Sequence, residues 1–219
     1  MKPLIVAIDG PSGAGKGTVA RAVASALGYR HVDSGAMYRA VGWKALRDGV
    51  SLDDEEAVAR LATTSRIEVA PGVTIDGFDV SRAIRTPEID RAAAAVARMP
   101  KVRAVLVERQ RRLGVDGGVV MEGRDIGTVV FPHADVKIYL DATPEERARR
   151  RAADPAHSGG PAAVADVVTA LAARDELDRT RATSPLKVAP DAIRIDTTGK
   201  SVGQVVDEVL DVVKHKVSA

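Results

Sequence analysis

Cysteine is absent from this 219-residue chain, which excludes disulfides and thiolate metal sites and makes a reducing cytoplasm the expected compartment. Asparagine is absent as well. Aromatic residues make up only 3%, so Val, Leu, Ile and Ala must fill the core, and little is left to stack bases in a single-strand groove. No apolar run could span a bilayer, and the opening run, Leu4-Ile5-Val6-Ala7-Ile8, is too short for a signal-peptide core. Net charge is only +2, so a general basic footprint for nucleic acid is missing and no nucleic-acid or membrane partner is expected. What remains, 45% hydrophobic and 28% charged residues, suits one globular domain with insertions.

The opening strand runs straight into Gly10-Pro11-Ser12-Gly13-Ala14-Gly15-Lys16-Gly17-Thr18. Strand, glycine loop with a lysine, then helix is the phosphate-gripping P-loop arrangement. Gly10, Gly13 and Gly15 admit backbone conformations closed to residues with a Cβ, so successive N–H groups can converge on phosphate oxygens. The helix start adds unpaired N–H groups and a positive dipole end, and Lys16 adds a full charge that reaches the outer phosphates. Val19, Ala20, Val23, Ala24 and Leu27 recur at helical spacing, with Gly28 as the stop. One position departs from the general pattern: Gly17 intervenes between the lysine and Thr18, so Thr18 would meet a magnesium ion either directly or through water. That spelling resembles the nucleoside-monophosphate kinase branch of P-loop proteins.

Strand-like segments at 4–8, 30–33, 118–122, 136–141 and 192–196 alternate with helical stretches, the pattern of an α/β fold with a parallel sheet. Residues 66–80 break it. Ile67/Val69, Val73/Ile75 and Phe78/Val80 alternate around Pro71-Gly72 and Asp76-Gly77, which predicts a small antiparallel meander. With helices on both sides, including 88–98 and 100–113, the stretch from about 36 to 114 reads as an insertion. Ala153-Asp-Pro-Ala-His-Ser-Gly-Gly-Pro161 reads as a mobile loop. The helix before it opens with Thr143 as N-cap, Pro144 in its first turn and Glu146 completing a capping box. A second Gly199-Lys200-Ser201 is taken as a chance echo of a P-loop, ahead of a plain core helix with Val202, Val205, Val206, Val209, Leu210 and Val213.

Arginine placement points to an anionic acceptor. On helix 162–182 the apolar stripe Val164, Val167, Val168, Leu171 continues into Arg174, Asp178 and Arg181, as for a helix passing from core into a cleft. On this helix alone an exposed Arg174–Asp178 pair explains the pattern equally well. Three other segments tip the balance. Asp33-Ser34-Gly35-Ala36-Met37-Tyr38-Arg39 follows one strand, and Glu122-Gly123-Arg124-Asp125-Ile126-Gly127-Thr128 follows another. Both fall at C-terminal strand ends, where open parallel sheets bind ligands. Pro100-Lys101-Val102-Arg103 opens a helix of the insertion.

These segments, with Arg174-Asp-Glu-Leu-Asp-Arg-Thr-Arg181, resemble the bacterial cytidylate kinases over essentially the whole chain. The resemblance implies a three-layer α/β P-loop fold in a single domain over 1–219, with a parallel-sheet core at about 1–35, 115–150 and 184–219. An NMP-binding insertion at about 36–114 would hold the meander, and a short lid would occupy about 151–162. It implies that Arg39, Arg124 and Arg181 grip the CMP phosphate, beside Asp33, Ser34, Gly35 and Tyr38. Arg174 and Asp178 would serve the sugar and phosphate sides, Arg103 with Asp125 would read cytosine, and Arg147, Arg150 and Arg151 would approach ATP. Lys16, Arg124, Arg174 and Arg181 would carry the chemistry. The family serine ahead of the Val-Ala pair is Ala94 here.

The implied reaction moves the γ-phosphoryl of ATP, with Mg²⁺, to CMP or dCMP, in a monomer. The nucleophile is a phosphate oxygen already anionic at neutral pH, so the task is positioning and charge stabilisation rather than proton removal. Two other P-loop classes fit this sequence less well. A GTPase switch generally reads guanine with Asn-Lys-x-Asp, which a chain without asparagine cannot supply. A small-metabolite kinase would not need so many arginines for an acceptor without phosphate. Because water must be kept from ATP, the loop with Pro155, Gly159, Gly160 and Pro161 is predicted to order when both substrates bind. Amide exchange over 153–161 is expected to slow in the ternary complex, and equal rates in the ligand-free protein would refute this.

Overall fold

The computed structural model describes residues 3–153 and 164–218; residues 154–162 of the expected lid lie outside the described residues. In chain order the elements are β1 (Ile5–Asp9), α1 (Lys16–Leu27), β2 (Arg30–Asp33), α2 (Ser34–Arg47) and α3 (Glu55–Thr64). Then come β3 (Ile67–Glu68), β4 (Thr74–Ile75), β5 (Phe78–Asp79), α4 (Pro87–Val96), α5 (Pro100–Leu113) and β6 (Val119–Gly123). A π-helical turn (Ile126–Val130), β7 (Val136–Asp141), α6 (Pro144–Ala152), α7 (Val164–Thr180), β8 (Ile193–Asp196) and α8 (Val202–Ser218) complete it.

Strands β2-β6-β1-β7-β8 form one parallel sheet. The central strands β6, β1 and β7 are largely buried apolar runs because both faces are covered, while the edge strands β2 and β8 carry charged residues. Val6, Ile8, Val120, Ile138 and Leu140 face α1 and α8, while Ala7, Val32, Val119 and Met121 point the other way, toward Val107 of α5 and Ile126. The register pairs Asp33 with Glu122, Asp9 with Gly123 and Asp141 with Asp196, which lines the strand ends along one edge. All five strands fall within one residue of their expected bounds.

The expected meander is the antiparallel sheet β3-β4-β5. Ile75 and Val80 from it pack with Ala36 and Ala40 of α2 and Ile89 of α4. Met37, Val41, Val58, Val96, Val102 and Leu106 form a separate core among helices α2 to α5. The insertion thus buries its own apolar faces while α5 also leans on the main sheet.

Two local features depart from what the sequence pattern announced. Thr143 does cap α6, accepting the Glu146 N–H at 3.3 Å, but the capping box is not closed. The Glu146 carboxylate instead accepts from Arg149 and Arg150 at 2.8 Å, and the Thr143 N–H donates to Thr198 Oγ1 at 3.0 Å. Two guanidiniums on the same helix face outcompete one backbone N–H for an anion. The second is the π-turn after β6, which no periodicity announced. Val130 and Phe131 donate to carbonyls five residues earlier, Asp125 and Ile126, at 3.2 and 2.7 Å.

α7 buries Leu171 and, one turn on, Asp175, which is 0% exposed. Asp175 accepts the Ser12 N–H at 3.2 Å and forms a close ion pair with the Arg147 guanidinium. Arg147 in turn donates to the carbonyls of Ser12 at 3.1 Å and Ala142 at 3.2 Å. The pair ties α6 and α7 to the underside of the loop after β1. Removing one partner strands a buried charge, so Asp175→Asn is expected to lower unfolding free energy by about 3–5 kcal/mol. Urea denaturation checks this, and a midpoint unchanged from wild type would contradict it.

Candidate active site

The loop between β1 and α1 arches over that buried pair. Gly13, at φ +80°, sits so close to the Arg147 backbone that a Cβ would fall 2.8 Å from its carbonyl oxygen. Lys16 is buried and its Nζ donates to Pro11 O at 2.7 Å. Burial, reinforced by the nearby Arg124 charge, lowers its pKa to about 7. A Cβ on Gly17 would lie 3.0 Å from Glu122 Oε1, so the Glu122 carboxylate lies directly alongside the position after the lysine. Glu122, at the end of β6, is buried and faces His31 Nε2 at 3.3 Å.

Asp9 ends β1 just before the loop. Its carboxylate accepts the N–H groups of Ile126 at 2.8 Å and Gly127 at 2.7 Å, fixing the start of the π-turn. Burial raises its pKa to about 6 in spite of those two donors. The segment bearing Arg124 and Asp125 is therefore hung on the strand that launches the loop.

One cavity of about 800 Å³ joins the loop to the arginines. Ser12 through Thr18 line one end with Arg150, Arg151, Thr197, Lys200 and Ser201. Asp33, Ser34, Gly35, Tyr38, Arg39, Ala94 and Arg103 line the other, with Arg124, Asp125, Arg174, Asp178 and Arg181. Gly10 and Pro11 lie behind the wall. So does Arg147, a correction to the expectation that it approaches the nucleotide: it is buried outside the cavity wall, its Nε donating to Ala142 O and its Nη1 to Ser12 O and Asp175. Arg150 keeps a place in the wall while donating to Thr197 Oγ1 and O at 2.8 and 2.7 Å.

At the far end the charges interlock. Arg103 and Asp125 form a close, buried ion pair, with the Arg103 guanidinium 5.4 Å from the Tyr38 ring centre. Arg181 reaches Asp125 at 3.5 Å and Asp178 at 3.7 Å, and its Nε donates to Ser184 O at 2.6 Å. Arg124 Nε donates to Asp178 at 2.9 Å. Burial works against ionising Asp178, yet Arg124, Arg174 and Arg181 hold its pKa below the ordinary value. Arg103 Nε is buried with no acceptor among the described residues.

Asp33 caps α2 through the Ala36 N–H at 3.0 Å and accepts from Arg85 at 3.1 Å. Several of these groups escaped sequence reasoning. Arg85 and Asp90 look like ordinary charges beside a helix start, and Asp175 hides next to Arg174. Asp9 had a cue, an acid at a strand end directly before the loop. Lys200 and Ser201 were read as chance; they form no second loop, but they wall the same cavity.

A family description, cytidylate kinase, matches residues 6–215 of the chain. The chain belongs to the cytidylate kinase family. It is 49% identical over 220 aligned residues to the cytidylate kinase of Desulfitobacterium hafniense (strain Y51), covering 99% of this chain and 95% of that protein. The cytidylate kinase of Bacillus subtilis (strain 168) is 46% identical, with 98% of each chain covered. Among solved structures, a gluconokinase from Sinorhizobium meliloti 1021 superposes with TM-score 0.52 at 14% identity, over 98% of this chain and 93% of that one. Shikimate kinase from Acinetobacter baumannii gives 0.51 at 16% identity, over 97% and 94%. At those identities the likeness carries the fold alone, that of P-loop kinases. No helix among the described residues is long and apolar enough to cross a membrane.

The lowered Lys16 pKa has a measurable sign. At pH 8 the ligand-free amine is mostly neutral, and contact with phosphate oxygens raises its pKa and draws in a proton. Calorimetric titration with a nucleoside triphosphate in buffers of different ionisation enthalpy should show uptake of about 0.5–1 proton at pH 8, fading below about pH 6.5. Zero uptake or net release at pH 8 would contradict it.

Proposed function

We propose that this chain transfers the γ-phosphoryl group of ATP to CMP or dCMP, giving ADP and CDP or dCDP. One observation carries the reading: a single cavity has a phosphate loop at one end and a buried arginine–aspartate pair among further arginines at the other. The relatives' names point to the same acceptor, so the small-metabolite kinase and GTPase readings are not favoured. Every group the reaction needs comes from one chain, consistent with a monomer, and a cysteine-free sequence suits the cytoplasm.

In this reading the loop from Gly10 to Thr18 cradles the ATP phosphates with its N–H groups, and Lys16 neutralises charge on the transferring group. Arg150 and Arg151 approach the donor phosphates, while Arg147 supports the loop from beneath. Arg39, Arg124 and Arg181 hold the CMP phosphate so that one of its oxygens lies in line with the γ-phosphorus. Arg174 and Asp178 fix the sugar side, and Asp33, Ser34, Gly35 and Tyr38 shape the wall. No side chain need remove a proton, because the attacking oxygen is already charged.

A magnesium ion fits the donor set in one way. No cluster of three or more His, Cys, Asp or Glu side chains among the described residues could cage a metal, but Thr18 lines the cavity and the Glu122 carboxylate lies alongside Gly17. Such a sparse oxygen set matches a small hard cation held chiefly by nucleotide phosphates and water. Thr18 would hold it, with Glu122 behind, and when bound it supplies positive charge to the phosphate oxygens.

Cytosine presents a donor at N4 beside acceptors at N3 and O2, and uracil reverses the first of these and N3. Asp125 accepting from N4 and Arg103 donating to N3 and O2 would favour cytosine. Ala94, in the same wall, brings no hydroxyl to the base. A coupled ADP-release screen tests the reading: CMP and dCMP should be the best acceptors, and Asp125→Ala should lower the CMP-over-UMP ratio of kcat/KM by about 10-fold or more. A phosphate-free alcohol as best acceptor would defeat the proposed reaction. An unchanged ratio in a folded Asp125→Ala protein would move base reading elsewhere.

A further inference from the structure

Asp90 lies in the first turn of α4, where an acid ordinarily just favours the positive end of the helix dipole. Its carboxylate is engaged differently. Oδ1 is 3.1 Å from Arg39 Nε on α2 and 3.2 Å from Arg174 Nη1 on α7, and Oδ2 closely pairs with Arg151 Nη2 at the end of α6. Arg39, Arg151 and Arg174 line the cavity, whereas Asp90 is not part of its wall. The carboxylate therefore stands behind the arginines instead of in the space a substrate phosphate would take. Burial disfavours its charged form, yet Arg174, Arg39 and Arg151 hold its pKa far below the usual carboxylate range, so it stays ionised at any working pH.

The geometry has a mechanical consequence. Arg39 belongs to the insertion, while Arg151 and Arg174 sit on the two helices that flank residues 154–163. Uncompensated, three guanidiniums this close would repel. One carboxylate shared among them fixes their spacing. We propose that Asp90 is a positioning residue for phosphoryl transfer, binding acceptor-side Arg39 and donor-side Arg151, with Arg174, into one cluster so that the two substrate grips converge. This rests on the acceptor and donor roles proposed above.

Steady-state kinetics with ATP and CMP test it. Asp90→Asn keeps the shape and removes the charge, and kcat is expected to fall about 10- to 100-fold, the cost of misplaced positioning groups. Asp90→Glu retains the charge one methylene further out and should recover at least about 3-fold of that loss. Because Asp90 acts through Arg151, Asp90→Asn with Arg151→Met should lose about 5-fold less in kcat than the product of the single losses. If Asp90→Asn does not fold, Asp90→Glu takes its place in the same cycle with Arg151→Met. Costs that simply multiply, or a folded Asp90→Asn protein within about twofold of wild-type kcat, overturn the proposal. Wild-type protein without CMP-dependent ADP release overturns the reaction instead. In that event the Arg39 Nε–H signal in NMR decides the cluster: its proton exchange should quicken in Asp90→Asn, and unchanged exchange removes Asp90 from the role.

Discussion

Repulsion between like charges is the constraint around which this molecule is arranged. Phosphoryl transfer between two nucleotides requires positive groups from many elements to face one another across a cavity, and water cannot screen them there. Each crowding guanidinium is matched from within the wall or behind it. Asp125 takes Arg103 and Arg181, Asp178 takes Arg124, Asp33 takes Arg85, and Asp90 takes Arg39, Arg151 and Arg174. Arginines outnumber aspartates, so the site keeps an excess of positive charge that only a polyanion can neutralise.

Burial sets the protonation of the groups that do not have a full partner. Lys16 is held near neutral pKa by burial beside Arg124, and Asp9 is held near 6 by burial beneath it. Phosphate arriving in the loop supplies the missing negative charge. Binding energy is thereby coupled to relief of an electrostatic cost already present in the ligand-free protein, a form of preorganisation.

Rigidity comes from below. The Arg147–Asp175 pair fastens the loop to α6 and α7, while Asp9 fastens the π-turn to β1. Both groups are buried, and both act on backbone N–H or C=O groups of segments that line the cavity. Helices α2 to α5, by contrast, have their own apolar core and meet the rest of the molecule through Val107 against the main sheet and through polar links that include Asp90 and the Arg103–Asp125 pair.

The local determinants were legible in the amino-acid sequence. Apolar runs gave the five strands, helical spacing gave α1 and α8, and the glycine-lysine loop gave the phosphate end, because these depend on periodicity and on backbone freedom within a few residues. The arginine segments at strand ends pointed to an acceptor with phosphate. Tertiary structure alone decided which charge meets which. Arg147 looked like its neighbours Arg150 and Arg151 on α6, yet it turns inward to a carboxylate of α7, while Arg151 faces an aspartate of α4. Asp90 and Asp175 carry no local mark, since an aspartate's partner 61 or 28 residues away is set by how helices pack. The π-turn belongs to the same class: the N–H groups at its start meet the carboxylate of Asp9 from another strand.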